Sequence, residues 1–245
     1  MNLSTTTRHK KDRETRRRDE EKRTVVVHRV SMSHPLLVSL SGFAARLWYA
    51  TLWCPCWAIS QVWFAYRYFG RTNVPTDGPV LLVSNHQSHL DPVLVGLACP
   101  RRLKYLARHD LFFWPFSWWI RALGAVPIDR TRGAVGGMKT TLKLLQQNEA
   151  VLVFPEGSRT FDGRLGPLRP GFCLLARRSG ASIVPVAIQG AYAAMPRGNT
   201  FPRPCPITLA FSPAISHVEW KHLSDEQLVQ LVESRINQLV SDHRS

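Results

Sequence analysis

The sequence predicts an α/β fold with a layered, mixed and mainly parallel sheet flanked by helices, preceded by an N-terminal membrane-associated helical segment. After residue 75, short apolar runs alternate with longer segments of helical periodicity. Two polar motifs each follow directly after such a run. A stretch before residue 70 is uncharged and rich in tryptophan, which indicates the membrane-associated segment.

Strands and helices are predicted in alternation along the chain. The strand candidates are short apolar runs: Val80–Ser84, Lys104–Ala107, Ala125–Ile128, Val151–Phe154, Ile183–Ile188 and Ile207–Phe211. The helix candidates between them are Pro92–Cys99, Leu111–Leu123, Val135–Gln147 and Gly171–Ser179. The clearest helix is the last, because Ser224 and Gln227 have the spacing of a capping box and apolar residues follow at helical intervals.

Three regions are expected along the 245 residues. Residues 1–31 form a charge-dense leader, predicted to be disordered, which is either an authentic tail or a start-site artefact, since Met32 begins a plausible protein. Residues 35–70 form the apolar, Trp-rich segment, and residues 71–245 form the catalytic domain. One domain of this length is large enough to build a full core.

The uncharged run Leu47–Tyr66 is about as long as a bilayer-spanning helix. It contains Pro55 and four tryptophans, and tryptophan favours the headgroup region over the hydrocarbon centre. A helical pair or hairpin in one leaflet is therefore favoured over a true span. A buried packing helix is the third alternative, and the aromatic tract Leu111–Leu123 is either a core helix or a second interfacial element.

The chain carries a formal net charge of +15, and only +5 of it lies in residues 1–31. A basic body suits an anionic membrane surface or a phosphorylated substrate. No nucleic-acid-binding signature accompanies the charge, so no nucleic-acid partner is expected. The sequence has five cysteines and no CxxC pair: Cys54, Cys56, Cys99, Cys173 and Cys205. They are expected to be reduced and mostly structural, which fits a protein facing the cytoplasm.

The first polar motif is Asn-His-Gln-Ser-His-Leu-Asp at residues 85–91. Asp91-Pro92 is typical of a helix start with Asp91 as the N-cap, which leaves His86 on the loop after a strand. An imidazole can accept a proton near neutral pH, and a carboxylate on its other nitrogen would orient it. The competing interpretation is that Asp91 only caps the helix and His86 is a surface residue.

The second motif is Phe-Pro-Glu-Gly-Ser-Arg-Thr at residues 154–160, again after an apolar strand. Ligands of open α/β sheets bind at that edge. Arg159 is suited to bidentate contacts with a phosphate, and Gly157 permits close backbone approach. A structural salt bridge between Glu156 and Arg159 is the alternative.

Other chemistries are less favoured by the sequence. His86, His89 and Asp91 could be mistaken for metal ligands, but a metal site needs further ligands that the sequence does not supply, so no metal is expected. Ser88 lies inside the first motif but has no separate base, and no cysteine is placed as a nucleophile.

Two further blocks complete a family pattern. Gly-Ala-Val-Pro-Ile-Asp-Arg at residues 124–130 and Ile-Val-Pro-Val-Ala-Ile at residues 183–188 lie in order around the second motif. Together the four blocks resemble the signature blocks of the 1-acylglycerol-3-phosphate acyltransferase family, within the wider glycerolipid acyltransferases. The resemblance covers roughly residues 75–215.

The resemblance implies roles for particular residues. His86 would be the general base and Asp91 its orienting acid. Substrate-binding roles would fall to Asn85, Arg130, Glu156, Gly157, Ser158 and Arg159, with Arg159 and Arg130 as the phosphate contacts.

The implied reaction moves a fatty acyl group from an acyl thioester to the free hydroxyl of 1-acylglycerol 3-phosphate, giving phosphatidate. The donor would be acyl-CoA or acyl carrier protein, with no other cofactor, and the acceptor a membrane lipid. Glycerol 3-phosphate or a lyso-aminolipid is an alternative acceptor, and a non-catalytic membrane-binding protein is the alternative from another class. The protein is expected to be membrane-associated, with its catalytic domain facing the cytoplasm.

Overall fold

The computed structural model describes residues 53–108, 116–128 and 133–243. Its strands are β1 (Arg67–Phe69), β2 (Val80–Ser84), β3 (Leu103–Arg108), β4 (Ala125–Ile128), β5 (Ala150–Val153), β6 (Ser182–Gln189) and β7 (Thr208–Phe211). Its helices are α1 (residues 53–64), α2 (Asp91–Ala98), α3 (Phe116–Ala122), α4 (Gly133–Gln146), α5 (Gly171–Ser179), α6 (Ala191–Ala194), α7 (His217–Trp220) and α8 (Asp225–Asp242). A 3₁₀ turn covers Arg71–Asn73.

The described strands form one sheet in the order β1-β7-β6-β2-β5-β3-β4. Strands β2 to β6 are parallel to one another, β7 is antiparallel to β6, and β1 is parallel to β7. The predicted mixed, mainly parallel sheet with flanking helices is therefore confirmed. Its carboxyl edge brings the ends of β2, β5 and β6 side by side.

The six strands expected from apolar runs are all present, with ends that differ by one residue or less. Strand β1 was not expected, because Arg67–Phe69 was assigned to the apolar segment of residues 35–70. All three of its residues are exposed, so no alternation of buried and exposed positions marks them as a strand. Their strand conformation comes from pairing with Thr208–Ala210 of β7, a contact across the chain that local sequence does not encode.

The core has one apolar cluster on each face of the sheet. Alternate residues of β2 serve the two faces: Val80 and Leu82 pack with α2, whereas Leu81 and Val83 pack with α4, α5 and α8. Because β2 is covered on both sides, all five of its residues are buried. A strand buried on both faces is rigid, and the loop that follows it starts from a well-defined position.

Helix α8 begins as the sequence predicts. The side chain of Ser224 accepts a hydrogen bond from the Gln227 amide, and the Gln227 side chain accepts one from the Ser224 amide at 2.9 Å. The buried residues of α8 are Leu228, Val232 and Ile236, at the spacing of a single helical face.

Helix α1 packs on the domain by one face and exposes an apolar face. Phe64 is buried, its carbonyl accepts from the Ile207 amide at 2.9 Å, and a Cβ at Gly96 of α2 would lie 2.6 Å from Cη2 of Trp53. On the other face Trp57 is 52% exposed and Val62 is 86% exposed. The interpretation as a buried packing helix therefore holds for the face of α1 that carries Phe64 but not for the face that carries Trp57 and Val62.

Within the ranges described, no helix is long and apolar enough to cross a bilayer. The leader of residues 1–31 and the rest of the apolar segment up to residue 52 lie outside those ranges. Part of the aromatic tract, residues 111–115, also lies outside them, and residues 116–122 of the tract are helical.

Candidate active site

The two polar motifs meet at the carboxyl edge of the sheet. Residue 85 follows β2 directly, and Phe154 follows β5, the neighbouring parallel strand whose Val153 pairs with Val83. Strand β6 flanks β2 on the other side and ends at Gln189. The sheet order therefore places the histidine motif between the glutamate motif and the end of the fourth sequence block.

His86 and Asp91 form a hydrogen-bonded pair. Nδ1 of His86 lies 2.8 Å from Oδ2 of Asp91, and Oδ2 also accepts from the backbone amides of Gln87 at 2.6 Å and Ser88 at 2.7 Å. Asp91 is fully buried, whereas the His86 side chain keeps 19% of its surface exposed. The aspartate thus holds the loop and the imidazole together.

The expectation that Asp91 is the N-cap of its helix is wrong by one residue. Leu90 occupies the N-cap position, and Asp91 is the first residue of α2. Its carboxylate bonds back to the loop that precedes the helix, because residues 86–88 fold over it and present two amides. The interpretation of Asp91 as only a helix cap therefore fails on the same geometry.

The electrostatics of Asp91 follow from its burial. Desolvation raises the pKa of Asp91 above its ordinary value, and the bonds from His86 and from the Ser88 and Gln87 amides oppose that rise. In neutral His86, donation from Nδ1 to the carboxylate leaves Nε2 as an acceptor. Nε2 is then the atom able to take a proton from a substrate.

The His86 ring is held from a second side by Phe154. The two rings are stacked with centroids 3.9 Å apart and planes 15° from parallel. Phe154 is the first residue after β5, so the second motif supplies a wall for the imidazole as well as polar groups. Rotation of the ring away from Asp91 would break both contacts.

Glu156 binds the two loops to each other. Oε1 of Glu156 accepts from the His86 amide at 2.7 Å, and Oε2 accepts from the Gly166 amide at 3.1 Å. The Thr160 amide donates to the His86 carbonyl at 2.8 Å, so both backbone polar groups of His86 are bonded to the second motif. Burial raises the pKa of Glu156, against the lowering effect of its bonds to His86 and Gly166.

These contacts favour a positioning role for Glu156. No ion pair joins Glu156 to Arg159, although the structure describes both residues, so the salt-bridge alternative is wrong. Its assignment as a substrate-binding residue stays a prediction. Both carboxylate oxygens already have backbone donors.

Asn85 is also engaged in backbone contacts. Its side-chain nitrogen donates to the Ile188 carbonyl and its side-chain oxygen accepts from the Ile188 amide, both at 2.8 Å. The residue is buried. This two-point bond fastens the loop after β2 to β6 and occupies the Asn85 amide with backbone contacts. Its assignment as a substrate-binding residue stays a prediction.

Gly157 and Ser158 lie on the tight turn after β5. Gly157 has a φ of 77° and its amide donates to the Phe154 carbonyl at 3.1 Å. The positive φ favours glycine at this turn, and a Cβ there would lie 3.2 Å from Cζ of Arg169, so the guanidinium would have to shift slightly. Ser158 is exposed.

Arg159 is half-buried beside a second arginine. Its pKa is lowered by burial and then by the positive charge of Arg197, while the negative charge of Asp91 acts in the opposite direction. Arg197 lies on the loop after α6, and its Cζ is 4.3 Å from the centroid of the Phe161 ring. Two neighbouring cations at the opening of the site form a place where a dianion is favoured.

Arg197 and Gln87 were not identified from the sequence. Arg197 lies in a loop with no motif, and only its position after the fourth block could have drawn attention to it. Gln87 lies inside the first motif, where its Nε2 donates to the Gly163 carbonyl at 2.8 Å and its Oε1 accepts from the Tyr192 amide at 3.2 Å. It therefore links the loop of the base to the loop that carries Phe161.

The remaining residues considered from the sequence are Arg130, Ser88 and the candidate metal ligands. Arg130 lies outside the described residues. Ser88 donates through Oγ to the Met195 carbonyl at 3.1 Å. Among the residues described, no group of three or more His, Cys, Asp or Glu side chains is arranged to hold a metal ion.

Comparison with known proteins agrees with this architecture. The Acyltransferase family model matches residues 66–189, just over half of the chain, and includes both motifs. The chain belongs to the Acyltransferase family.

The relatives within this family include plant and bacterial enzymes. The chain is 34% identical to 1-acyl-sn-glycerol-3-phosphate acyltransferase BAT2, chloroplastic, of Brassica napus over 149 residues, which cover 58% of this chain and 43% of that protein. It is 25% identical to 1-acyl-sn-glycerol-3-phosphate acyltransferase of Bacillus subtilis over 179 residues, covering 72% of this chain and 86% of that protein. The chain thus spans less than half the length of the plant relative.

A solved structure shares the fold. It is the 1-acyl-sn-glycerophosphate acyltransferase PlsC of Thermotoga maritima, with a TM-score of 0.69 and 24% identity, covering 84% of each chain. At this identity the likeness establishes the α/β fold alone. The resemblance seen in the four sequence blocks is confirmed by the family match and by the relatives.

Proposed function

We propose that the protein transfers a fatty acyl group from an acyl thioester to the free hydroxyl of 1-acylglycerol 3-phosphate, giving phosphatidate. The observation that carries the proposal is the His86–Asp91 pair beside the cationic pair Arg159 and Arg197. A base beside a dianion site suits a phosphorylated alcohol. The similarity to the 1-acyl-sn-glycerol-3-phosphate acyltransferases of Brassica napus and Bacillus subtilis supports this acceptor.

The chemistry proceeds through His86. Nε2 removes the proton from the acceptor hydroxyl as its oxygen attacks the thioester carbonyl, and the carbon–sulfur bond of the tetrahedral intermediate then breaks. The proton on His86 passes to the departing thiolate, so the enzyme returns to its starting state. Asp91 keeps Nδ1 protonated throughout and stabilises the imidazolium.

Direct transfer without an acyl-enzyme is supported by the state of the candidate nucleophiles. Cys173 is buried, and its pKa is raised to about 12 by burial and by the charge of Asp225, so it is a thiol at neutral pH. Ser88 Oγ is bonded to the Met195 carbonyl and is buried. Neither group has the base and the accessibility that a nucleophile needs.

Recognition of the acceptor rests on the arginines. The phosphate would bind between Arg159 and Arg197, and its charge would relieve their mutual repulsion. Arg130 is proposed as a further contact from the second sequence block. The donor would be acyl-CoA or acyl carrier protein, and no metal or other cofactor takes part in the steps proposed.

The same proposal includes a location at a membrane. A net charge of +15 and the exposed apolar face of α1 suit an anionic lipid surface. All five cysteines are free thiols, which fits a catalytic domain facing the cytoplasm.

The deciding experiment measures thiol release from acyl-CoA and from acyl carrier protein by the detergent-solubilised protein, with and without 1-acylglycerol 3-phosphate. Release that depends on the acceptor and falls about 10²–10⁴-fold in His86→Ala is expected, since general base catalysis contributes that much. Thiol release only with glycerol 3-phosphate or only with a lyso-aminolipid would identify that compound as the acceptor in place of 1-acylglycerol 3-phosphate. Near-normal turnover by His86→Ala would overturn the assignment of the base, and no release with any pair would favour a non-catalytic membrane-binding protein.

A further inference from the structure

A loop on the same side of the molecule as α1 carries an unusually exposed aromatic side chain. Residues 196–204 connect α6 towards β7, and Phe201 near the tip is 81% exposed. Nε1 of Trp63 donates to the Pro202 carbonyl at 3.3 Å, so the tip of this loop lies beside α1. The apolar surface of α1 therefore continues onto the loop.

The same loop reaches the opening of the candidate active site. The Arg203 amide donates to the Ala194 carbonyl at 2.7 Å, which returns the loop to the end of α6. From α6 the Tyr192 hydroxyl donates to the Phe161 carbonyl at 2.5 Å, and Phe161 is 75% exposed with Arg197 over its ring. The exposed apolar side chains of α1 and of these two loops, here called the aromatic rim, are Trp57, Val62, Trp63, Phe161 and Phe201.

The charges of the loop indicate what the aromatic rim contacts. Arg197 and Arg203 are exposed on either side of Phe201, and residues 196–204 contain no acidic residue. Tryptophan and arginine beside exposed Phe and Val side chains are the composition that suits a lipid headgroup region, where apolar rings insert and cations stay with the phosphates. An anionic bilayer matches both the apolar and the charged part of this surface.

We propose that residues 196–204 form a membrane-inserting loop, with Phe201 entering an anionic lipid surface next to α1 and with Arg197 and Arg203 at the headgroups. The proposal deepens the proposed function, because it brings the opening beside Arg159 to the plane in which a lipid acceptor lies. The binding itself does not depend on the reaction. It follows from the exposed surface alone.

The test is partition of the full chain onto preformed vesicles, measured by flotation at a salt concentration that leaves about half of the wild type bound. Phe201→Ser is expected to lower the partition coefficient about tenfold on vesicles of phosphatidylcholine with phosphatidylglycerol, and Phe201→Leu to retain most of it. Arg203→Gln is expected to lower partition about fivefold on these vesicles and to have no effect on pure phosphatidylcholine.

The matched control is Val218→Ser, which removes an apolar side chain that is 67% exposed on α7. Trp220 of α7 packs in the core cluster on the opposite face of the sheet from the cluster that contains Phe64 of α1. Its partition should equal that of the wild type. Equal partition of Phe201→Ser and Val218→Ser would overturn the proposal. So would a smaller oligomer for Phe201→Ser with unchanged partition, because the loop would then contact a second copy of the chain. Flotation needs neither acceptor nor donor, so a failure of the proposed reaction leaves this result intact.

Discussion

The inner and outer parts of the candidate site are built in opposite ways. Around His86 and Asp91 the loops are held by many hydrogen bonds, although Oδ1 of Asp91 is buried without a partner, and Asn85 and Glu156 are each bonded at two points to backbone groups. At the opening, Arg159 and Arg197 carry like charges near each other, and Phe161 lies largely in solvent. Proton transfer requires that donor and acceptor atoms are held in a fixed geometry. Binding of a phosphate by charge acts over a longer distance, so the arginine side chains need not be rigidly fixed.

The contrast also predicts different consequences of substitution. Changes in the inner part should alter turnover and folding together, because the same hydrogen bonds orient the base and stabilise the loops. Changes at the opening should alter the affinity for the acceptor and leave folding unaffected.

The largest effect is expected for Asp91→Asn. Asparagine can turn its amide oxygen towards the His86, Gln87 and Ser88 donors, but it lacks the negative charge that strengthens these bonds and stabilises an imidazolium. Its NH2 group would then replace Oδ1, which is buried without a hydrogen-bond partner, and would be a buried donor without an acceptor. We expect kcat to fall about 10²–10⁴-fold and the free energy of unfolding to fall by about 1–3 kcal/mol. Steady-state kinetics and urea unfolding measure the two quantities.

Asp162→Asn is the matched control, because Asp162 has a side chain that is 63% exposed and lies on the loop at the opening. Its kcat should stay within about twofold of the wild-type value, and its free energy of unfolding within about 0.5 kcal/mol. An Asp91→Asn protein with normal kcat would show that the pair is structural only.

A smaller and different effect is expected for Arg197→Gln and Arg159→Gln. Each should raise the KM for the acceptor roughly tenfold. A charge-assisted hydrogen bond to phosphate contributes about 1.5–3 kcal/mol, and the lower end of that range is expected because both arginines are partly exposed. Stability should not fall, because each substitution removes a like-charge repulsion. Initial rates at varied acceptor concentration give KM and kcat separately.

Arg178→Gln serves as the control for this pair, because Arg178 is exposed on α5, which packs with the core cluster that contains Leu81 and Val83. It should change neither constant. If Arg197→Gln lowers kcat without changing KM, Arg197 acts on turnover as the inner residues do. That result would contradict the separation between the inner part and the opening of the site.

The third prediction concerns Glu156→Gln. Glutamine has one acceptor oxygen where Glu156 accepts from both His86 and Gly166, so one amide loses its partner. We expect kcat to fall several-fold with little change in KM, since the substitution displaces the base without touching the acceptor site.

The pH dependence of unfolding gives Glu156→Gln a second readout. Burial raises the pKa of Glu156 above its ordinary value of 4.5 in the folded chain. The folded protein therefore binds this proton more readily than the unfolded chain, and the resulting stability is lost as the pH rises through the raised pKa. As the pH rises through the raised pKa, the free energy of unfolding of the wild type should fall relative to that of Glu156→Gln. A difference between the two proteins that does not change with pH would contradict the raised pKa of Glu156.

The sequence predicted most of the fold for a physical reason. Strands β2, β5 and β6 are continuous apolar runs because both faces of a central strand are covered, and such runs are visible without any knowledge of partners. Helix α8 was visible through its capping box. Strand β1 was missed because its exposed residues form a strand only when β7 is present.

The pairing of His86 with Asp91 was also predictable from the sequence. His86 and Asp91 are five positions apart on one loop, so local chain geometry suffices to bring them together at 2.8 Å. The arginine of the second motif was predicted for the same reason: a short motif after a strand end has its place set by that strand. The family blocks then gave these residues their proposed roles.

Only the tertiary structure decided the rest. Glu156 bonds to a backbone amide 70 positions away, and Arg197 lies near Arg159 only because β6 returns the chain to the same edge of the sheet. Likewise the Pro202 carbonyl accepts a hydrogen bond from Trp63, a residue 139 positions earlier in the sequence. Contacts between distant segments depend on strand order, and strand order is the outcome of packing the whole chain rather than a property of any one segment.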